Sequence, residues 1–235
     1  MGNVTEVVKN LIIINVLMFI GTMALPGEWR AMLMMYFPLS EFFKPFQLVT
    51  HMFMHGDLMH LFFNMWGLYL FGSALEALWG SKKFLFYYFF TGFGAAFLYL
   101  LVKYIEYQYA LSTLDPMMVQ EVLKNGGELI AQGRNYTNSD LGGFNALLNA
   151  PALGASGSIF GLLAGYGMSF PNNKLMIFPL PFALEAKYFV IIYGALELYL
   201  GLSGFNTGVA HFAHLGGALF GLLIILYWRK TGNMV

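Results

Sequence analysis

The sequence predicts an all-α membrane protein, and the reasons are its composition and its hydropathy pattern. Of its 235 residues, 58% are apolar and 10% are charged, whereas a soluble domain is about a quarter charged. The mean hydropathy is +0.64. Six apolar stretches approach the roughly 20 residues that a helix needs to cross a bilayer core; they occupy residues 11–25, 58–78, 84–102, 156–170, 188–202 and 209–228. We therefore expect a polytopic bundle of six transmembrane helices that forms a single domain over residues 1–235.

The first stretch, residues 11–25, ends at Pro26 without a convincing small-residue cleavage site. We interpret it as a retained helix and not as a removed signal peptide. The segment that follows, residues 26–50, is long for a connection and strongly apolar. We expect this segment to lie partly in the membrane interface, with Trp29, Tyr36 and its phenylalanines at headgroup depth.

Polar residues cluster where the second stretch begins. Asp57 stands in the position of an N-cap, and His60 and Asn64 are one helical turn apart and therefore share a face. All histidines of the chain lie at the start of either the second or the sixth stretch; they are His51, His55, His60, His211 and His214. Ionisable groups in a membrane span cost free energy, so these side chains are candidates for a function.

The segment between the third and fourth stretches, about residues 103–152, is long and polar, and we expect it to lie outside the membrane. Asp115 and Pro116 predict the capped start of a short helix. The Asn-Gly-Gly sequence at residues 125–127 predicts the end of that helix. The remainder is rich in Asn, Gly and Ser, which is typical of a loop.

Glycines that recur every four residues predict a close contact between the fourth and sixth stretches. Glycines at this spacing stack on one helix face and leave a groove there. They are Gly157, Gly161 and Gly165 in the fourth stretch and Gly217 and Gly221 in the sixth. If the two grooves meet, the hydroxyl of Ser156 comes within hydrogen-bond reach of the imidazole of His214. A hydroxyl and an imidazole are the minimum set for an activated nucleophile.

Composition also excludes several functions. The formal net charge is zero, which gives no indication of nucleic acid or of another anionic partner. The chain has no cysteine, so disulfides, thiolate catalysis and cysteine metal sites are excluded. Any nucleophile must therefore be an oxygen atom.

The placement of lysine and arginine predicts the orientation in the membrane. With six spans both termini lie on the same side of the membrane. The segments on that side are about half as long in total as those on the other side, yet they contain more of the basic residues. The basic residues on the side of the termini are Lys9, Lys82, Lys83, Lys174, Lys187, Arg229 and Lys230. The positive-inside rule makes this side cytoplasmic, so the second, fourth and sixth stretches begin on the opposite side.

Three patterns together resemble the rhomboid family of intramembrane serine proteases. The first is GASG at residues 154–157, and the second is AHLGGALFG at residues 213–221. The third is the polar series of the second stretch that ends with His60 and Asn64. The order of the three patterns also matches, and the resemblance covers most of the chain.

The resemblance implies that Ser156 is the nucleophile and His214 the general base. It implies an oxyanion hole made by His60, Asn64 and the backbone N–H of Ser156. Supporting positions in the same patterns are Gly154, Gly157, Phe160, Gly217 and Gly221. Glu76 stands where the family has a structural glutamate. The implied activity is hydrolysis of peptide bonds within or next to transmembrane segments of other proteins, with no cofactor and no metal.

The sequence departs from the family pattern in three places. Phe160 replaces a tyrosine that packs on the histidine in many relatives, so a ring can stack there without a hydroxyl. Phe46 and Gln47 stand where the first loop often has a tryptophan-arginine pair. The segment at residues 103–152 is longer than in compact relatives, and we expect it to cover or to gate the site.

Other interpretations of the polar residues stay open at this point. His51 and His55 have a metal-ligand spacing that His211 and His214 could complete, but no carboxylate cluster supports a metal site. We expect His51 and His55 to satisfy backbone groups, and His211 to be solvated at the start of its helix. Glu197 lies in the fifth stretch at a depth similar to that of His214, where it either tunes the imidazole or has a structural role.

The main alternative function is a non-catalytic rhomboid-like scaffold that binds membrane clients, and a small transporter or channel is a third. The expected partners are transmembrane protein substrates and the lipid bilayer. The expected location is the bacterial inner (plasma) membrane, with both termini cytoplasmic and the active site opening on the extracytoplasmic side.

Overall fold

In the computed structural model, residues 4–176, 183–203 and 208–232 are described, and most of them are helical. The helices are α1 (Glu6–Ala24), α2 (Gly27–Leu33), α3 (Gln47–Thr50), α4 (Leu58–Gly67), α5 (Ser73–Trp79), α6 (Ser81–Thr113), α7 (Pro116–Glu121), α8 (Gly127–Ala131), α9 (Ser139–Asn149), α10 (Ser156–Ser169), α11 (Ala186–Leu202) and α12 (His211–Lys230). A π-helical turn at Leu68–Gly72 joins α4 to α5, and another at Val122–Gly126 joins α7 to α8. Strands β1 (Lys174–Met176) and β2 (Ala183–Glu185) pair antiparallel between α10 and α11 in the chain order.

Helices occupy all six of the predicted stretches, which confirms an all-α polytopic membrane fold. In the described parts of the chain, four helices are long and apolar enough to cross a bilayer by length and composition; they are Glu6–Ala24, Leu58–Trp79, Ser81–Thr113 and His211–Lys230. Helix α10 has 14 residues and α11 has 17. At 1.5 Å per residue α10 is roughly 21 Å long, less than the roughly 30 Å of a bilayer core. Residues 157–167 of α10 are buried against other helices, so most of this short helix contacts protein and not lipid.

The glycine-rich helices α10 and α12 pack backbone against backbone. A Cβ atom on Gly217 of α12 would collide with the carbonyl oxygen of Gly157 in α10. The expected contact between the two helices is therefore present. The stripe of α10 differs from the expectation, because Cβ atoms on all three of its glycines would collide with α6. The Cβ on Gly157 would meet Ala95, and those on Gly161 and Gly165 would meet Thr91 and Tyr87. Glycines thus bring three helices together at α10.

Hydrogen bonds connect α10 to α6 across the same contact. The Tyr87 hydroxyl donates to the carbonyl of Gly161 at 2.7 Å, and the Ser158 hydroxyl donates to the carbonyl of Tyr88 at 2.9 Å. Both bonds satisfy backbone carbonyls of buried helices with side chains from a neighbouring helix. The start of α10 is therefore held by packing and by hydrogen bonds at once.

Glu76 fixes the start of α1 against the end of α5. Its carboxylate accepts hydrogen bonds from the backbone N–H groups of Val7 and Val8, both at 3.0 Å, and from the hydroxyls of Thr5 and Ser81. It replaces an N-cap, since the Thr5 side chain caps no backbone group of α1. The residue therefore joins three elements of the chain.

The first loop is packed into the protein more deeply than the sequence predicts. Trp29 is 55% exposed, as an interfacial side chain would be, but Tyr36 and Phe37 are 6% and 2% exposed. The expectation that Tyr36 and the phenylalanines lie at headgroup depth is wrong for these two. The buried side-chain amide of Gln47 stabilises this conformation of the loop. It donates to the carbonyls of Met32 and Phe42 and accepts from the N–H groups of Tyr36 and Lys44.

The segment at residues 103–152 is helical for most of its length, which corrects three expectations. Helix α6 continues to Thr113, beyond the predicted end at residue 102. Asp115 caps α7 as predicted, by accepting from the N–H of Met117 at 2.7 Å. The predicted stop at residues 125–127 is wrong, because the chain stays helical into α8. The predicted loop after it contains α9.

Tertiary contacts explain why the glycines near residue 126 do not end the helix. A Cβ on Gly126 would collide with Asn145 of α9, and one on Gly127 would collide with Glu41 of the first loop. These glycines therefore serve close packing, not chain reversal. The small core that results contains Phe37, Val119, Val122, Phe144 and Leu148. It joins the first loop to the segment that directly precedes α10, where Met35 and Ala152 also form an antiparallel bridge.

Replacement of Gly217 by alanine tests the contact between α10 and α12. We expect Gly217→Ala to lower the free energy of unfolding by about 1–3 kcal/mol, because the added methyl has no space beside the Gly157 carbonyl. The matched control is Gly194→Ala in α11, where a Cβ has no neighbour within 4 Å. That variant should be as stable as the parent or gain up to about 1 kcal/mol. Thermal unfolding in detergent micelles measures both, and equal midpoints would contradict the packing argument.

Candidate active site

Ser156 and His214 are in hydrogen-bond contact. The Oγ atom of Ser156 lies 2.9 Å from Nε2 of His214. Ser156 is the first residue of α10, and His214 lies in the first turn of α12. Gly217, one turn after His214, touches Gly157, the neighbour of Ser156. The close approach of the two backbones therefore places the hydroxyl and the imidazole at the same level.

Phe160 fixes the plane of the histidine ring. Its ring centroid is 4.1 Å from that of His214, with an angle of 8° between the planes. The stacking that the sequence predicts for this position is therefore present without a phenolic hydroxyl. Tyr193 of α11 packs on the Phe160 ring with 4.9 Å between the centroids. Phe160, supported by Tyr193, thus limits the movement of the imidazole.

Gly154 lies between the serine and a second histidine. Its φ of +127° favours glycine, and its N–H donates to the carbonyl of His51 at 2.9 Å. A Cβ at Gly154 would be 2.8 Å from Nε2 of His60 and 3.6 Å from Oγ of Ser156. Only glycine leaves the space between these two side chains open. Asp57 holds the start of α4 and confirms the predicted N-cap, because its carboxylate accepts from the N–H of His60 at 2.8 Å.

Two of the donors that the sequence predicts for an oxyanion hole are on Asn64 and Ser156. Asn64 is 5% exposed, and its amide nitrogen has no hydrogen-bond partner among the described residues. Ser156 begins α10, so its own N–H lacks an acceptor inside the helix. A buried donor without a partner costs about 1–3 kcal/mol. The Asn64 amide is therefore available to a polar ligand.

Glu197 of α11 faces two imidazoles. Its Oε2 atom lies 2.6 Å from Nδ1 of His211 and 3.1 Å from Nδ1 of His214. The expectation that His211 is solvated is wrong, since the residue is 7% exposed. The physical reason is that α11 covers the first turn of α12. The sequence signal for this cluster is Glu197 itself, because a carboxylate is unusual in the middle of an apolar stretch.

Glu197, His211 and His214 also form the one group of potential metal ligands found among the described residues. Their ligand atoms lie within 4.8 Å of one another. Two ligands of a tetrahedral zinc ion are roughly 3.3 Å apart. The 2.6 Å contact between Glu197 and His211 is a hydrogen-bond distance and is too short for an ion between them. The alternative metal site that includes His51 and His55 is not formed by the described residues.

His51 and His55 lie outside the membrane spans, directly before α4. Burial lowers the pKa of His51 to about 4, although its Nδ1 atom donates to the carbonyl of Gln47 at 2.7 Å. Burial, together with the neighbouring His60, lowers the pKa of His55 to about 4. The expected backbone contact is present for His51, whereas both ring nitrogens of His55 are buried without a hydrogen-bond partner.

The comparison with known families agrees with this geometry. The family profile described as the Rhomboid domain matches residues 43–231. This chain belongs to the rhomboid family. The matched range includes Ser156, His214, His60 and Asn64, and it includes the integral membrane helices from α4 to α12.

Curated rhomboids are similar over most of this chain. Presenilin-associated rhomboid-like protein A, mitochondrial, of Danio rerio is 30% identical over 80% of the chain and 40% of that relative. Rhomboid protein 1, mitochondrial, of Saccharomyces cerevisiae is 25% identical over 95% of the chain and 54% of the relative. Rhomboid protease AarA of Providencia stuartii is 26% identical over 89% of the chain and 60% of the relative. The chain thus spans about half the length of the rhomboids that it matches.

Acidification should destabilise this rhomboid through its buried histidines. Because the pKa of His55 is about 4 in the folded state and 6.5 when unperturbed, the unfolded state binds the proton first as the pH falls. The contribution of this histidine to the free energy of unfolding is therefore complete above pH 6.5 and is lost as the pH falls towards 4. At pH 5 one such histidine lowers the free energy of unfolding by about 2 kcal/mol. We expect His55→Phe to reduce this loss, as measured by unfolding midpoints at pH 7.5 and pH 5.

His51→Phe is the companion variant for this experiment. Because the pKa of His51 is also about 4, this variant should reduce the loss on acidification as well. It also removes the hydrogen bond to the Gln47 carbonyl, so it should lower the midpoint at pH 7.5, which His55→Phe does not have to do. If His55→Phe shows the same loss on acidification as the parent, His55 is not a source of the acid sensitivity.

Proposed function

We propose that this rhomboid is an intramembrane serine endopeptidase, built as a single membrane domain, with Ser156 as the nucleophile and His214 as the general base. The observation that carries the proposal is the 2.9 Å contact between Oγ of Ser156 and Nε2 of His214. Two further observations support it: the ring of Phe160 holds the imidazole plane, and unpaired donors lie beside the serine. The name of one relative, Rhomboid protease AarA, is consistent with this activity.

The geometry supports a two-step acyl transfer. Nε2 of His214 takes the Oγ proton as Oγ of Ser156 attacks the scissile carbonyl carbon, and the resulting imidazolium then gives the proton to the leaving amine. The acyl-enzyme ester forms when the C–N bond breaks. A water molecule that is deprotonated by His214 hydrolyses the ester and restores the serine hydroxyl. No cofactor is needed for either step.

His60, Asn64 and the N–H of Ser156 are the proposed oxyanion hole. The carbonyl oxygen of the substrate becomes an anion in the tetrahedral intermediate, and in a site of low dielectric it needs donors that are already in place. Asn64 has a buried amide with no partner in the described protein, and Nε2 of His60 faces the space at Gly154 beside Ser156. These positions fit an oxygen atom bound to the carbon that Ser156 attacks.

The proposed substrates are transmembrane segments of other membrane proteins that enter from the bilayer. A peptide bond in a membrane helix is hydrogen-bonded and shielded, so the segment has to unwind before it is cleaved. Helix α11 is the proposed side of entrance, because about half of its residues are exposed and Ala186 and Glu197 are its buried residues. The lipid bilayer is the second partner.

Labelling with a fluorophosphonate tests the catalytic assignment. We expect a covalent adduct on Ser156 of the purified protein in micelles and in bilayers, none in Ser156→Ala, and about 10²- to 10³-fold slower labelling in Asn64→Ala. The matched control is Ser158→Ala, which removes a hydroxyl of the same helix that is bonded to the Tyr88 carbonyl. Mass spectrometry of the peptide that contains residue 156 measures the adduct.

The alternative functions give different results in this experiment. A client-binding scaffold would show no adduct in the folded parent protein, and a transporter would show flux in liposomes that survives Ser156→Ala. Cleavage of single-span proteins by the parent and not by Ser156→Ala completes the test. Labelling of Ser158 in place of Ser156 would overturn the proposal.

We further propose a location in a bacterial inner membrane with cytoplasmic termini. The distribution of basic residues supports the orientation, and the relative from Providencia stuartii supports a bacterial membrane, whereas two other relatives are named mitochondrial. Because the chain has no cysteine, single cysteines can report the topology. We expect Gln132→Cys to react with an impermeant maleimide in intact bacterial cells, and Lys82→Cys to react only after permeabilisation. The opposite pattern would reverse the orientation.

A further inference from the structure

We propose that Glu197 is a positioning residue that completes a triad with His214 and Ser156. In this arrangement the carboxylate accepts the Nδ1–H of His214 and keeps Nε2 of the ring directed at the serine. The inference rests on the proposed function, since positioning matters only if His214 is the base. It assigns a role in catalysis to one of the two buried residues of α11.

The burial of Glu197 is the first argument. Helix α11 is exposed or half-buried over most of its length, and its two buried residues are Ala186 and Glu197, the latter 4% exposed. An ionised carboxylate in such a place is costly unless it is paired and hydrogen-bonded. The two histidines of α12 are the groups that lie at hydrogen-bond distance from it. The carboxylate therefore belongs to the histidine cluster and not to the lipid-facing surface.

The chemistry of imidazole is the second argument. A neutral histidine has one nitrogen that donates and one that accepts. If Nε2 of His214 is to take the proton of Ser156, Nδ1 has to carry the hydrogen, and an acceptor at Nδ1 selects that tautomer. Glu197 presents its Oε2 atom 3.1 Å from Nδ1, while Nε2 is 2.9 Å from the serine oxygen. The imidazole thus has an alcohol at one nitrogen and a carboxylate at the other.

The alignment of the carboxylate indicates how it acts. Nδ1 of His214 does not complete a hydrogen bond with Glu197 at 3.1 Å, while the same oxygen is 2.6 Å from Nδ1 of His211. His211 therefore holds the carboxylate beside His214 in the resting state. Catalytic hydrogen bonds are often long in resting enzymes and tighten when charge develops. When His214 becomes an imidazolium, the attraction to the carboxylate closes this contact.

The position of Glu197 on α11 links the base to the proposed side of substrate entrance. Tyr193, one turn before Glu197, packs on Phe160, and Phe160 stacks on His214. An outward movement of α11 would separate both Glu197 and Tyr193 from the groups that hold the imidazole. The triad is therefore complete only while α11 lies against α12.

The test compares Glu197→Gln, Glu197→Ala and Glu197→Asp in the full-length protein. We expect the rate of fluorophosphonate labelling and the kcat of cleavage to fall about 10²- to 10⁴-fold in the Gln and Ala variants, with KM changed little. Asp keeps the carboxylate on a shorter side chain and should restore part of the rate. Gln keeps the buried volume, so it serves as the test if the Ala variant does not fold.

The tautomer of His214 is a readout that a merely structural role would not change. In protein with ¹⁵N-labelled histidine, the parent should show Nδ1 protonated and Nε2 unprotonated for His214, and Glu197→Gln should show a substantial fraction of the other tautomer. Glu76→Gln is the matched control, because it removes a buried carboxylate that holds α1 and lies away from the histidines. It should lower the unfolding midpoint without changing the His214 signals or the labelling rate per folded molecule.

The outcomes separate this inference from the proposed function. If the parent is labelled at Ser156 and folded Glu197→Gln keeps both the parental rate and the parental tautomer, the inference is wrong and the protease assignment stands. If the parent is not labelled, the protease assignment fails. The ¹⁵N signals still decide then whether Glu197 sets the His214 tautomer, and an unchanged tautomer overturns that part.

Discussion

The contact between the backbones of α10 and α12 is the constraint on which the rest of the site depends. A glycine at 217 lets α12 rest on the Gly157 carbonyl, and this approach determines the distance between Ser156 and His214. Larger side chains at the contact would hold the two helices farther apart, towards the usual 8–10 Å between packed helices, and would lengthen the distance between the two polar groups. In lipid, no hydrophobic force draws helices together, so shape and hydrogen bonds provide the stability of this contact. The Arg229 guanidinium of α12 donates to the carbonyl of Met168 in α10, and the bonds between α6 and α10 hold α10 in place.

Two carboxylates in this protein are buried where other polar groups meet them. Glu76 has four donors, and Glu197 has two imidazoles. Other buried polar groups have no hydrogen-bond partner among the described residues, and the amide nitrogen of Asn64 is one of them. An unsatisfied donor in an apolar interior is costly, and in the proposed mechanism the oxyanion supplies the partner that the Asn64 amide lacks.

Local patterns predicted the helices and much of the site, and they were wrong where tertiary contacts reverse a local preference. The Asp57 and Asp115 caps could be predicted because a cap involves residues that are close in the chain. The glycines near residue 126 suggested a helix end because the packing of Asn145 and Glu41 on them is not visible in the sequence. Tyr36 and Phe37 were placed at the interface because an apolar loop looks the same whether it faces lipid or protein. His211 was taken as solvated because the sequence does not show that α11, the preceding helix, packs over the first turn of α12.

The sequence by itself determined the membrane location, the helix positions, the two helices that would meet and the serine-histidine pair, because composition and a four-residue glycine period carry this information locally. Only the tertiary structure decided that the α10 glycines also face α6, that the segment at residues 103–152 forms a small core with Phe37 of the first loop, and that Glu197 lies beside His214. Side chains on separate helices become neighbours through the rotation and depth of each helix. Those two quantities follow from the packing of all helices together, and no segment of the chain encodes them alone.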